Sequence, residues 1–244
     1  MRRTPAGRRC ADMDRLYYAI IGDIVASRRV TERGELQKRL KRVLAEINRD
    51  FCHIIAADFL ITLGDEFQGL LFANAAACPA VIAERIMSSL YPVRVRIAIG
   101  LGGISTEIDR SAALGADGSA FHRARNGIER IRNENRGGSA LRFICDSDQD
   151  TPINSILGLI CALFNRRTAK QNEAAALYLF DRASGRVSTQ TELALCLGIT
   201  QGTMSVRLGA ANAAEYASGL CAAETLIKAA LDPPPAATKA GAAR

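Results

Sequence analysis

Several features are missing from this sequence, and each absence excludes a class of protein. No run approaches the roughly 18 consecutive apolar residues of a membrane-spanning helix, so we expect no membrane association. The N-terminal "MRRTPAGRRCADMD" lacks the apolar stretch of a secretory signal. The 7 cysteines include no CxxC pair, which argues against a disulfide framework and a zinc site. We therefore expect a cytoplasmic protein, with Met13 as a second candidate start.

Strand and helix patterns alternate through the first part of the chain. The apolar run "LYYAIIGDI" predicts a strand buried on both faces, and hence a central one. "RGELQKRLKRVLAEINRDF" has an apolar stripe at helical spacing, and "DFLITL" and "FQGLLFA" predict a hairpin. The full order is β-α-β-β-α-β-α-β. This order predicts an α/β (α+β) sandwich with a mixed sheet.

Strand signals end after "DSDQDTP", and only helical patterns rich in Ala and Leu follow. The change predicts one domain over residues 15–151 and an all-α domain over 152–231. A basic leader, 1–14, and a Pro/Ala-rich tail, 232–244, are predicted to be disordered. The net charge of +7 lies mainly in the first 50 residues. It is more typical of a solvated helix face than of a nucleic-acid track.

The stretch "FLITLGDEFQGLL" places Asp65 and Glu66 in a turn between two apolar runs. In the predicted sheet these acids come close to Asp23, where the first strand ends. Carboxylates about 4 Å apart repel by roughly 4 kcal/mol at an effective dielectric near 20, and a divalent cation relieves that repulsion. Oxygen-only ligands suit Mg²⁺ or Mn²⁺. Two alternatives remain open, since Asp-Glu is ordinary in a turn and Asp23 could cap the next helix.

Residues 16–145 resemble the palm-type domain of class III nucleotidyl cyclases and GGDEF-type diguanylate cyclases. "IIGDIVAS" matches the strand that ends in a metal-binding Asp, and "LGDEF" matches the acidic hairpin. The resemblance implies a palm-like, ferredoxin-type sandwich that binds a nucleotide through a metal at Asp23, Asp65 and Glu66. Ser27 and Arg28 follow the first strand, where a phosphate loop is expected.

The chain also departs from the cyclase pattern. Leu63 replaces a Gly, and Ile61 replaces the base-reading Lys. The Asn and Arg that stabilise the cyclising transition state fall on His122 and Asn126. We therefore do not expect an active cyclase.

Three residues of the same segment stay candidates for a role at the site. His122 and Arg125 are candidates for catalysis, His122 because its pKa is ordinarily near neutral. Arg123 is a candidate nucleotide contact. His122 is equally compatible with a helix histidine that has no role.

Over nearly its whole length the chain resembles the SatD-like family of bacterial proteins. The matching motifs are "GDI-x-x-S-R", "GDEFQGLL", "R-x-x-IG-x-G" and "DG-x-AFH-x-AR", followed by a helical segment. Each motif alone is common, and their combination is specific. The resemblance indicates kinship and does not define a reaction.

"STQTELALCLGITQGTMSVRLGAANAAEY" has the spacing of a helix-turn-helix and resembles that of sigma region 4 and related regulators. Ala194 allows close helix contact, Gly198 suits the turn, and Thr200 suits the cap of the second helix. Ile199, Met204 and Leu208 are predicted to lock the two helices together. The residues then available to double-stranded DNA are Gln201, Thr203, Ser205 and Arg207. A bundle that only contacts protein remains the alternative.

These features support three hypotheses about function. The first is a DNA-binding regulatory protein whose palm-like domain binds a nucleotide and a metal, with a homodimer formed through the last helix, 210–231. The second is a metal-dependent enzyme that acts on nucleotide phosphates. The third is a degenerate palm used only as a dimerisation scaffold.

Overall fold

The computed structural model of the chain describes residues 15–26, 32–134 and 138–231. The predicted leader and tail, and the candidate residues Ser27 and Arg28, lie outside these ranges. The elements in chain order are β1 (Tyr17–Ile24), α1 (Arg33–Asp50), β2 (Ile55–Leu63), β3 (Glu66–Phe72), α2 (Pro79–Leu90), β4 (Val95–Gly102), α3 (Ser119–Asn133), β5 (Ala140–Ile144), α4 (Asp150–Phe164), α5 (Ala169–Ala183), α6 (Gln190–Cys196), α7 (Gln201–Ala210) and α8 (Ala213–Ala229). The predicted order of the first eight elements is confirmed.

The five strands form one mixed sheet in the order β2-β3-β1-β4-β5. β1 is antiparallel to both of its neighbours, and β4 and β5 are parallel, joined by α3 as the crossover. The predictions of a mixed sheet and of a central first strand are therefore confirmed. β1 is central because its apolar side chains have a packed layer on each face of the sheet.

Alternate residues of β1 face two different layers of helices. Tyr18 and Ile20 pack into a core with α1, α2, α4 and α8. Tyr17 and Ala19 pack on the other face, against α3. The layer on the α3 side is thin because it relies on small residues such as Ala120 and Ala124.

The helices after residue 150 share the main core with the sheet. α8 buries Tyr216, Leu220, Ala223 and Ile227 in the core that also holds the β1 side chains. The apolar face of α8 is therefore used within the chain. The predicted dimer contact through this helix stays a prediction. Over the described part of the chain, no helix has the length and apolar character needed to cross a membrane.

Two long-range hydrogen bonds attach α8 to the rest of the protein. The hydroxyl of Tyr18 donates to the carbonyl oxygen of Ile227 at 3.3 Å. The backbone N–H of Val81 donates to Oε1 of Glu224 at 2.8 Å. α2 has no side-chain cap of its own at Cys78, so Glu224 takes the place of one at the start of that helix.

The glycine before Asp23 is required by the packing of β3 beside β1. Gly22 pairs with Phe67 across the two strands, and the buried Phe67 ring covers the glycine. A Cβ at position 22 would lie 2.2 Å from the ring carbon Cζ of Phe67. The glycine of the "GD" pair is thus required by packing against Phe67.

We expect Gly22→Ala to lower the free energy of unfolding by about 1–3 kcal/mol, since the methyl group would displace a fully buried ring. Gly158→Ala is the matched control, because nothing lies within 4 Å of the Cβ position in that helix. The control should raise stability by about 0.5–1 kcal/mol. Urea unfolding of both variants checks the prediction. A Gly22→Ala variant with the same free energy of unfolding as the wild type would contradict it.

Candidate functional site

The sheet brings the first and third predicted acids, Asp23 and Glu66, together at the end of β1. Asp23 pairs in register with Glu66 on β3 and with Arg96 on β4. Strand residues alternate between faces, so all three side chains lie on the α3 side of the sheet. Asp23 is only 4% exposed, so its charge requires a partner close by.

That partner is Arg132, near the end of α3. Its Nε and Nη2 donate to Oδ2 of Asp23 at 2.9 and 2.5 Å, and Nη2 also donates to Oε1 of Glu66 at 3.0 Å. Nη1 of Arg96 lies 3.5 Å from the same Oδ2 of Asp23. Partial burial acts to lower the pKa of Arg132, but the hydrogen bonds and charges of Asp23 and Glu66 outweigh it and raise that pKa. Arg132 thus bridges the two carboxylates, and Arg96 adds a second positive charge beside them.

The second oxygen of Asp23 has no partner. Oδ1 is buried and accepts no hydrogen bond in the structure. An orphaned carboxylate oxygen next to a second carboxylate fits the oxygen-only donor set of Mg²⁺ or Mn²⁺. Among the described residues, however, no group of three or more His, Cys, Asp or Glu side chains is clustered closely enough to hold a metal. The structure therefore supplies two carboxylate donors here, those of Asp23 and Glu66.

Asp65 lies in the turn between β2 and β3 and faces a different hollow. This hollow has a volume of about 330 Å³ and is lined by Asp65 and Gly64, by the end of β1, and by the first turns of α1. Gln37 of α1 donates to the carbonyl oxygen of Gly64 at 3.5 Å across it. Arg33 and Gly34 line it at the start of α1. The hollow is therefore bounded by a helix N-terminus on one side and an acid on the other.

The candidates on α3 lie at the opposite end of that helix. His122, Arg123 and Arg125 precede Arg132 by seven to ten residues, about 10–15 Å along the axis at about 1.5 Å per residue. Nε2 of His122 and Nη1 of Arg125 each lie 3.5 Å from Oδ1 of Asp117. Arg123 donates to Asp146 and to the carbonyl oxygen of Leu101, both at 2.6 Å. Within one chain these three side chains do not meet Asp23, and their roles stay predictions.

The predicted turn between two short helices is present at residues 197–200. Gly198 has φ +61°, and Thr200 caps α7 by accepting from the N–H of Thr203 at 3.1 Å. The residues predicted to hold the helices together form a small core with α5: Ala194, Met204 and Leu208 are buried, and Ile199 is partly buried. The predictions for this turn and its packing are confirmed.

The residues predicted to meet DNA differ in their surroundings. Gln201, Thr203 and Ser205 are exposed on α7. Gln201 donates to Oε1 of Gln190 at 3.0 Å. Arg207 donates to Oε2 of Glu173 on α5 at 3.4 Å, and its side chain is only 17% exposed. Arg207 therefore helps to join α7 to α5.

Sequence reasoning missed Arg132 and Arg96. Arg132 is one of four arginines on α3, and no local motif distinguishes it from the others. The only signal for Arg132 in the sequence was indirect. A buried Asp requires a cation nearby, and the crossover helix α3 ends at the edge of the sheet where β1 also ends. Arg96 was visible in the alternating pattern "VRVRIAIG", but its position directly opposite Asp23 depends on the strand register.

By its fold and site, this is an α+β protein with helices on both faces of a mixed sheet and a carboxylate pair at the end of the central strand. The chain belongs to the SatD family, whose model matches residues 17–227. Five solved chains are similar to it, among them the structure of a bacterial light-regulated adenylyl cyclase. That match has 13% identity and a TM-score of 0.37, and covers 53% of this chain and 75% of the other. No curated protein matches the chain.

We expect Arg132→Met to lower the free energy of unfolding by about 2–3 kcal/mol. Breaking a fully buried ion pair costs about 3–5 kcal/mol. The loss should be smaller here because the Arg132 side chain is 44% exposed and Arg96 stays near Asp23. Adding Asp23→Asn should recover most of the loss. Urea unfolding measures both, with Arg130→Met as the exposed control on the same helix; equal losses for Arg130→Met and Arg132→Met would contradict the pairing.

Proposed function

We propose that this protein is a regulatory protein that binds a nucleotide with a divalent cation at the end of β1, and that its C-terminal helices contact DNA. The observation that carries the first half is the environment of Asp23. Its carboxylate is buried, one oxygen is unpartnered, and the other shares an arginine with Glu66. Such a pair has the chemistry to hold a cation that also binds phosphate oxygens.

The topology supports a palm-like interpretation of the sheet. The first four strands lie in the order β2-β3-β1-β4, with each neighbouring pair antiparallel. This order, with α1 and α2 as connections on one face, is that of a ferredoxin-type sandwich. The acids of the "GDI" and "GDEF" motifs then lie on adjacent strands, as the resemblance to palm-type cyclases implies.

Arg132 makes the site compatible with two occupants. Without a metal ion, its guanidinium and that of Arg96 offset the charges of Asp23 and Glu66. A bound Mg²⁺ would supply that neutralising charge and link the carboxylates to phosphate, with Asp65 as a further predicted ligand. The Arg132 side chain, 44% exposed, is then free to contact a phosphate, which arginine binds through paired N–H groups.

The hollow beside Asp65 supports a position for the phosphates. It opens at the first turn of α1, where free backbone N–H groups and the positive end of the helix dipole favour an anion. Arg33 adds a positive charge at the same place. A phosphate in this hollow would lie beside the acidic turn, so a cation between them would be shared.

Binding should be measured by calorimetry with a panel of nucleoside triphosphates, with and without Mg²⁺. We expect Mg²⁺-dependent binding that Asp23→Asn weakens at least tenfold, because the variant removes the buried charge. Asp148→Asn, at an exposed position, is the control and should bind as the wild type does. Equal affinity for Asp23→Asn and the wild type, or no binding to any nucleotide, would refute the proposal.

The same calorimetric titration also distinguishes the enzyme hypothesis from the binding hypothesis. Release of pyrophosphate or phosphate during the titration would indicate turnover. We favour binding because His122 and Arg125 lie at the far end of α3 from the carboxylate pair. Among the described residues, the charged partners of the carboxylate pair are Arg96 and Arg132, and a guanidinium group stays protonated at ordinary pH.

The DNA half of the proposal is supported by the turn between α6 and α7 and by the packing of the two helices, as predicted for a helix-turn-helix. Gln201, Thr203 and Ser205 are exposed on the second helix, where a recognition helix presents its contacts. Their amide and hydroxyl groups suit base edges and phosphates. The net charge of residues 152–244 is only +3, so we expect binding to be weak and sensitive to salt.

Fluorescence anisotropy with random duplex DNA at low salt tests this half. Ser205→Glu should weaken binding at least tenfold, because it places a negative charge against the phosphates. Thr225→Glu carries the same charge on an exposed position of α8 and is the control. Binding that both variants weaken equally, or no binding by the wild type, would remove DNA contact from the proposal.

A further inference from the structure

A second cavity lies far from the carboxylate pair, between α2, α5 and α8. Its volume is about 870 Å³, within the range of about 300–1,000 Å³ that is typical of small-molecule sites. Its walls are mainly apolar, and its apolar lining residues include Phe51, Val81, Leu177, Phe180, Ala217 and Leu220. We call it the α2–α5–α8 cavity.

One lining carboxylate has an unsatisfied oxygen. Glu224 is 6% exposed, and its Oε1 accepts the N–H of Val81. Its Oε2 is buried and has no hydrogen-bond partner. A buried acceptor of this kind is costly unless a donor reaches it. Because Glu224 lines the cavity, a donor bound there would lie close to its carboxylate.

Arg85, another of the charged side chains that line the cavity, already has counterions. Nη2 of Arg85 lies 2.8 Å from Oδ2 of Asp50 and 3.8 Å from Oε2 of Glu46. Its guanidinium also stacks on the Phe180 ring, 4.5 Å from the centroid. Arg85 is therefore paired with two carboxylates, although its Nη1 is buried and has no hydrogen-bond partner. Glu224 accepts hydrogen bonds from backbone N–H groups only, and Lys228, one turn further along α8, acts on it through its charge alone. The missing group is a positively charged donor.

We propose that the α2–α5–α8 cavity binds a small apolar molecule that carries a protonated amine, with the ammonium group donating to Oε2 of Glu224. The apolar walls take the body of the molecule and the carboxylate selects its polar end. Glu224 lies on α8 and accepts a hydrogen bond from the first turn of α2. An occupant would therefore stabilise the contact between α2 and α8. This site is independent of the nucleotide site proposed above.

The protonation of Glu224 adds a pH dependence to this binding. Burial raises the pKa of Glu224 to about 7, against the backbone hydrogen bonds and Lys228, which lower it. The charged or titratable groups near it are Lys228 on α8, Cys78 before α2, Tyr18 on β1, and Glu84 and Arg85 in the cavity wall. An ammonium ligand needs the ionised carboxylate, so its affinity should rise between pH 6 and pH 8.

The test compares three molecules with the same body: 4-phenylbutylamine, 4-phenylbutanol and 4-phenylbutyrate. Calorimetry on the full chain should show the amine binding at least tenfold more tightly than the other two. Glu224→Gln, which keeps an acceptor for Val81, should reduce amine affinity to that of the alcohol and abolish its pH dependence. Ala217→Phe should block binding by filling the cavity, and Ala222→Phe, exposed and outside the cavity, should not.

Cysteine labelling gives a second readout within the same chain. Cys221 lines the cavity, and Cys196 is exposed elsewhere. The amine should slow alkylation of Cys221 and leave Cys196 unchanged, as measured by mass spectrometry. This readout needs no variant, so it holds even where Glu224→Gln does not fold.

Three results would overturn the proposal. The first is equal affinity for the amine and the alcohol in the wild type, and the second is equal protection of both cysteines. The third is the absence of amine binding by the wild type. If Ala217→Phe then also changes the oligomeric state, measured by light scattering, this face would be assigned to an interface between copies of the chain.

Discussion

A negative charge buried at the end of the central strand constrains the architecture around it. Asp23 is held between two neighbouring strands, so it cannot turn to solvent, and a cation has to come to it. The crossover helix α3 supplies that cation through Arg132. The direction of α3, its length and its position over β1 and β4 are all consistent with this one requirement.

The same helix is fixed at its other end by a second arginine. Arg123 binds Asp146 and the carbonyl oxygen of Leu101, so this end of α3 is attached to β4 and to the segment that follows β5. Arg132 attaches the other end of the helix to β1 and β3. Small residues such as Ala120 and Ala124 lie between the helix and the sheet, which lets the helix approach the sheet closely.

Local pattern was sufficient to predict the elements, and it was insufficient for the contacts between them. The apolar run around Tyr18 predicted a central strand, and the spacing around Gly198 predicted a turn with positive φ; both depend on neighbouring residues alone. Arg132 meets Asp23 across 109 positions and Glu224 meets Val81 across 143. Such pairs depend on how helices are placed in three dimensions, which no short motif encodes. For the same reason the acids were predicted as a trio, whereas the structure joins Asp23 to Glu66 and leaves Asp65 over a separate hollow.

The hydrogen bond between Tyr18 and Ile227 spans 209 positions of the chain, and it has a consequence for biosynthesis. The first strand is therefore translated about 200 residues before the helix that covers it. Until that helix has been synthesised, the part of the sheet that it covers stays exposed, and exposed apolar surface of this kind favours aggregation. Contacts of such long range also make folding slow, so this core can be completed only after α8 has been translated.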